Sequence, residues 1–76
     1  MNWQNYIESK PEVLFGKPAI ANTRIAVDLI LTKLSQGDTI EDLLQAYAPL
    51  TKEHILACLS YASEQIKNEI VLPKAS

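Results

Sequence analysis

The chain has 76 residues, a formal net charge of −2, a pI of about 5.2 and a single cysteine. The acidic balance argues against a generic nucleic-acid binder, because phosphate contacts need clustered basic side chains, and one cysteine excludes an internal disulfide. One small domain is expected, and 47% hydrophobic against 21% charged residues predicts apolar surface that a second copy or a partner covers.

The first ten residues place Trp3, Tyr6 and Ile7 at spacings of three and four, which predicts an N-terminal helical turn within 1–10 that Pro11 ends. Its aromatic face is expected to lie as a lid on the core.

The sequence shows no targeting or membrane-spanning signal. The first residues lack the basic and then apolar pattern of a signal peptide. No apolar run in the chain approaches the ~18 residues that a membrane-spanning helix needs. We therefore expect a cytoplasmic protein with no membrane partner.

Residues 12–27 contain the densest turn chemistry of the chain, with a glycine, a proline and an asparagine at positions 16, 18 and 22. Apolar residues alternate with other types at Val13, Phe15, Ile20, Ile25 and Val27. The pattern predicts a small β-hairpin whose strands are joined by a turn at 21–23. Lys17 and Arg24 are either solvated surface residues or part of a binding site, and the pattern alone leaves both interpretations open.

Three helices are predicted over 27–68. The first helix covers about 26–35 and ends before Gly37. The second helix begins after Thr39, which forms a capping box with Asp42. The third helix begins after Thr51 and ends near residue 67 or 68. The apolar positions of the third helix are Ile55, Cys58, Leu59, Ala62 and Ile66. Two short helices followed by a longer one after a tight turn predict a mainly α, helix-turn-helix-like (homeodomain-like) bundle preceded by the hairpin.

The end of the chain, 69–76, is predicted to be a short strand or tail. It contains an apolar, β-prone run at Ile70, Val71 and Leu72 before Pro73. Such a run is too short for a helix. It is expected to add as a strand, either to the hairpin of its own chain or to another protein.

Residues 16–27 resemble the motif of the domain-of-unknown-function family four-three-three. Their sequence is Gly-Lys-Pro-Ala-Ile-Ala-Asn-Thr-Arg-Ile-Ala-Val. Asn22 stands where that family usually has glycine, and asparagine is the residue that best replaces glycine at positive φ. The resemblance extends from Pro11 to about Ala62. It implies an antitoxin-like protein that pairs with a PIN-like ribonuclease toxin, together with a helix-turn-helix-type fold.

The sequence favours recognition over catalysis. It has one histidine, His54, and no glycine-rich phosphate loop, so we expect no enzyme activity, cofactor, metal or small-molecule substrate. In a DNA-binding helix-turn-helix protein, Thr51, Lys52 and His54 would meet operator DNA. Acidic residues outnumber the basic ones between 38 and 56, which favours a packing role for this motif over DNA binding.

The leading hypothesis is therefore an antitoxin-like protein, dimeric with itself, that occludes the acidic metal site of the ribonuclease implied by the resemblance. The partner-binding residues would be Lys17, Asn22, Thr23 and Arg24, with Ile70, Val71 and Leu72 as a competing site. Arg24 is the central candidate, because a planar guanidinium suits bidentate pairing with carboxylates. A DNA-binding regulator of its own operon and a purely structural oligomerisation module are the alternatives.

Overall fold

A computed structural model describes residues 1–69 of the chain. It contains two short strands, β1 (Ile7–Glu8) and β2 (Ala19–Ile20), and three helices, α1 (Val27–Ser35), α2 (Ile40–Ala46) and α3 (Lys52–Asn68). Single 3-10 turns occupy Trp3–Asn5 and Leu14–Gly16. The predicted fold class is confirmed: a two-stranded antiparallel sheet precedes a three-helix bundle.

One of the two strands, β2, lies within the hairpin predicted over 12–27, whereas β1 lies outside it. β1 pairs with β2 in antiparallel register, so that Ile7 lies opposite Ile20. The predicted turn at 21–23 is present, because the Ile20 N–H donates to the Ile25 carbonyl at 2.9 Å, and a single bridge joins Ala19 to Ala26. The main partner of β2 thus comes from the first ten residues, which the sequence assigned to a helical turn.

The predicted strand at Val13 and Phe15 is wrong. Leu14, Phe15 and Gly16 have φ angles of 51°, 56° and 85°, a left-handed conformation that no strand can contain. This 3-10 turn is closed by N–H donation from Gly16 to the Val13 carbonyl at 3.1 Å. The apolar residues of this segment therefore belong to a tight turn, which lets the chain return from β1 to β2.

The aromatic lid is confirmed, although its helical turn covers only Trp3–Asn5. The Trp3 ring packs edge-on against Tyr61 of α3, with 4.8 Å between ring centroids. Its indole N–H donates to the Glu64 carboxylate. Through Trp3, the start of the chain therefore contacts the second half of α3.

The helices begin and end close to the predicted positions. The Thr39 hydroxyl accepts from the Asp42 N–H at 3.1 Å, and the Asp42 carboxylate accepts from the Thr39 N–H at 2.8 Å, which is the predicted capping box. The hydrogen bond from the Thr39 backbone N–H, followed by one from the Thr39 side chain to the same carboxylate, holds the pKa of Asp42 below its ordinary value. Gly37, at φ 100°, follows the end of α1 as expected.

The core lies between the three helices and the small sheet. Its buried residues are Ile7, Ala19, Ile20, Val27, Ile30, Leu43, Leu50, Ile55, Ala57 and Cys58. The apolar positions predicted for α3 do not all face this core: Ile55 and Cys58 are buried, whereas Leu59 and Ile66 are 43% and 70% exposed. The predicted strand at Ile70, Val71 and Leu72 lies outside the described residues.

Candidate partner-binding surface

The turn between β2 and α1 is held by the side chain of Thr23. Its hydroxyl donates to the Ile20 carbonyl at 2.7 Å and accepts from the Ile25 N–H at 3.0 Å. Asn22 takes the left-handed conformation at φ 64°, as its place in the motif predicted. Both residues fix the backbone of the turn, and the half-buried Thr23 hydroxyl has its hydrogen bonds inside the chain.

Arg24 projects from this fixed turn into solvent. Within residues 1–69 its guanidinium takes part in none of the side-chain hydrogen bonds or ion pairs. A shallow groove of about 340 Å³ lies beside it, lined by Glu8, Lys10, Val13, Asn22, Thr23 and Arg24. Arg24 is thus an exposed cation on a rigid support at the edge of a groove.

Lys17 is placed differently from Arg24. Its ammonium pairs with the Asp28 carboxylate at 2.9 Å, and both side chains remain more than half exposed. A pair this exposed contributes about 0–1 kcal/mol, and it links the segment before β2 to the first turn of α1. The second cation of the groove is Lys10, which pairs with Glu8 at 3.2 Å. Sequence reasoning missed Lys10, because charge alone did not distinguish it from the other surface lysines.

Phe15 is the other residue that the sequence analysis missed. Its side chain is 101% exposed, at the tip of the left-handed turn, two residues beyond Val13 of the groove. Non-glycine residues at positive φ are uncommon, and such conformations concentrate at functional sites. The only sequence signal was the glycine and proline that follow Phe15, which indicate a turn but not an outward aromatic ring.

The start of α3 holds the three candidate DNA-binding residues. Thr51 and Lys52 are exposed, whereas His54 is half-buried. His54 Nδ1 accepts from the Thr51 N–H at 2.9 Å, and its ring packs edge-on against Tyr6 with 5.7 Å between centroids. These contacts give His54 a capping and packing role. The Thr51 hydroxyl also lies 3.0 Å from His54 Nδ1, so of these three residues Lys52 is the one whose side chain is outside the cap.

No metal-binding cluster is present among residues 1–69, since no three His, Cys, Asp or Glu side chains converge there. Cys58 is fully buried, and burial raises the pKa of its thiol to about 11, which keeps it protonated near neutral pH. In this same part of the chain no helix has both the length and the apolar character needed to cross a bilayer.

The fold and this surface define a small helix-turn-helix-like protein with a rigid, exposed arginine turn. Residues 7–62 match the family model described as "Protein of unknown function (DUF433)", so the chain belongs to the DUF433 family. A crystal structure of a DUF433 member protein from Anabaena variabilis ATCC 29413 is similar over 84% of this chain, with a TM-score of 0.78 and 34% identity. The chain spans 63% of the length of that protein. Comparison with curated proteins finds no match.

Proposed function

We propose that this protein is a non-catalytic, antitoxin-like binding protein that neutralises a PIN-like ribonuclease by inserting Arg24 into its acidic metal site. The observation that carries the proposal is an exposed guanidinium that residues 1–69 leave unpaired beside a groove, on a turn whose backbone is fixed by Thr23. In this proposal the protein acts in the cytoplasm as a homodimer and needs no cofactor.

The chemistry of the two sites is complementary. Nucleases of the PIN-like class hold divalent metal with clustered carboxylates, and a guanidinium offers such carboxylates two parallel N–H donors. Within the described part of the chain Arg24 has no ion pair to break before it binds, unlike Lys17, which is paired with Asp28. The rigid turn also lowers the entropy lost on binding, because its backbone is already ordered.

Phe15 adds an apolar contact to this surface. An aromatic ring that is fully exposed in the free protein gains the most when a partner removes it from water. Interfaces commonly combine one buried aromatic ring and one arginine with a polar rim. We therefore place Phe15 and Arg24 at the centre of the interface and Lys10, with its partner Glu8, at the rim.

The test is co-expression with the product of the neighbouring open reading frame, where the proposal expects the ribonuclease, followed by measurement of complex affinity and residual nuclease activity. Arg24→Ala is expected to weaken the complex by about 30-fold or more and to restore nuclease activity, because the partner's carboxylates lose their counter-charge. Lys52→Ala is the matched control, since it also removes one exposed cation but lies outside the groove. Equal affinities for Arg24→Ala and the unmodified protein would contradict the proposal.

The same two variants test the second candidate function, binding to operator DNA. Exposure of Thr51 and Lys52 at the start of α3 favours it, whereas the exposed acidic side chains of Glu41, Asp42 and Glu53 oppose it. A DNA-binding role predicts a salt-dependent complex that Lys52→Ala weakens more than Arg24→Ala does. If neither the ribonuclease nor DNA binds, a purely structural oligomerisation module remains as the third candidate.

A further inference from the structure

The outward face of α3 carries an apolar stripe with the spacing of a coiled coil. Four residues follow one another at intervals of three, four and three, at Leu56, Leu59, Ser63 and Ile66. All four are exposed, and the leucines and the isoleucine are 38%, 43% and 70% exposed. A stripe of this spacing lies on one side of a helix, and in coiled coils it packs against a second helix.

The second half of α3 has little support from its own core. Each residue from 63 to 69 is exposed, and the side-chain hydrogen bond from Trp3 to Glu64 joins this part to the rest of the fold. Short helical segments are marginally stable in water without tertiary packing. The two final turns of α3 therefore present Ile66 beyond the core, where a neighbouring helix can cover it.

We propose that two copies of this chain pair through α3 in antiparallel orientation, with the dyad at the level of Tyr61. In this register Leu56 of one copy meets Ile66 of the other, and Leu59 meets Ser63. Each contact occurs twice, as an isologous interface requires. The pairing sets a large side chain against a small one at the centre, so that the helices approach closely.

Charge selects this orientation. Glu53 and Lys67, the second and the last but one residues of α3, flank the stripe on the same side. In an antiparallel pair Glu53 of each copy lies beside Lys67 of the other, giving two symmetric ion pairs. In a parallel pair these two residues are far apart. Within one chain they lie about 21 Å apart along the helix, so any coupling between them reports a second copy.

The size of the interface sets its strength. α3 is 17 residues long, about 25 Å, and a single helix face of that length covers less than the ~800 Å² per partner of a standard stable interface. We therefore expect a reversible dimer whose population rises with protein concentration. The stripe shares no residue with the Arg24 groove, so this dimer is independent of the proposed binding to a ribonuclease.

The experiment mixes two charge-reversed variants of the full chain, Glu53→Lys and Lys67→Glu, and measures dimerisation by sedimentation. Each variant alone juxtaposes like charges twice and is expected to dimerise about tenfold more weakly than the unmodified chain. The mixture restores both ion pairs in a heterodimer and is expected to recover the original affinity. Glu12→Lys, which reverses an exposed charge outside α3, is the charge-matched control and should dimerise normally.

Leu59→Asp provides an independent test of the apolar stripe. Circular dichroism checks that each variant is folded. Loss of dimer in Leu59→Asp, together with recovery in the mixture, supports the antiparallel pair. The proposal is overturned if the unmodified chain stays monomeric at millimolar concentration. It is equally overturned if mixing restores nothing, or if Leu59→Asp dimerises as well as the unmodified chain.

Discussion

At the scale of single residues, the turn at Leu14–Gly16 stores conformational energy while its central side chain makes no packing contribution. Phe15 holds φ at 56° with its ring fully exposed, so no intramolecular contact offsets the left-handed backbone. A left-handed conformation costs an ordinary L-residue roughly 1–2 kcal/mol. Strain combined with an exposed aromatic ring is the combination expected where binding, and not stability, determines the residue.

Phe15→Asn is therefore expected to stabilise the free protein. Asparagine adopts positive φ more readily than phenylalanine, and no buried contact is lost, so the free energy of unfolding should rise by about 0.5–1 kcal/mol. Urea denaturation measures the change. A fall in stability would mean that the Phe15 ring packs against the fold, which would remove it from the proposed interface.

At the scale of elements, the capping box of α2 makes stability depend on pH. The Asp42 carboxylate accepts a hydrogen bond from the Thr39 N–H. This hydrogen bond is the main cause of the lowered pKa of Asp42. A carboxyl whose pKa is lower in the folded state binds fewer protons there than in the unfolded chain. Its contribution to stability is present above the ordinary pKa of 3.8 and is lost as the pH falls through the lower, folded value.

Asp42→Ala is accordingly expected to be less stable than the unmodified protein near neutral pH, with a difference that shrinks below pH 3.8. Urea denaturation across this range gives the two curves. Glu41→Ala is the control, because Glu41 lies in the same first turn but outside the capping box. A difference that stays constant through the acid range would contradict this account of Asp42.

The helices were predictable from sequence, whereas the pairing of the strands was not. Caps such as Thr39 and stops such as Gly37 are local signals, and each acts on residues within four positions of itself. The pairing of Ile7 with Ile20 joins residues thirteen positions apart, and two-residue strands are too short to show alternation. Apolar residues at 13 and 15 therefore suggested a strand that the left-handed turn excludes.

The candidate site was predictable only in part. Asn22 and Thr23 follow from turn chemistry, because both residue types have defined places in a tight turn. Arg24 does not follow from the turn and was chosen because its guanidinium suits pairing with carboxylates. Lys10 enters the groove through the pairing of β1 with β2, which was not anticipated. The exposure of Phe15, Leu59 and Ile66 depends on how the helices and turns pack, since apolar periodicity indicates a face but not whether another part of the chain covers it.

At the scale of the whole molecule, the apolar content divides between a small core and exposed surface. Ten hydrophobic residues are buried, while Phe15, Leu56, Leu59 and Ile66 remain in solvent within the described range. This is the surplus that the composition predicted for a chain of 76 residues. We propose that this exposed apolar surface serves two partners: Phe15, beside the Arg24 groove, contacts a ribonuclease, and the outward face of α3 contacts a second copy.

We propose that Arg24 takes the place of metal among the carboxylates of a ribonuclease. The most direct test is the affinity of the complex as Mg²⁺ is raised, with NaCl added to hold ionic strength constant. Metal and guanidinium would compete for the same oxygens, so Kd should rise in proportion to Mg²⁺ for the unmodified protein but stay level for Arg24→Ala. A complex whose Kd is unaffected by Mg²⁺ would show that the arginine binds elsewhere.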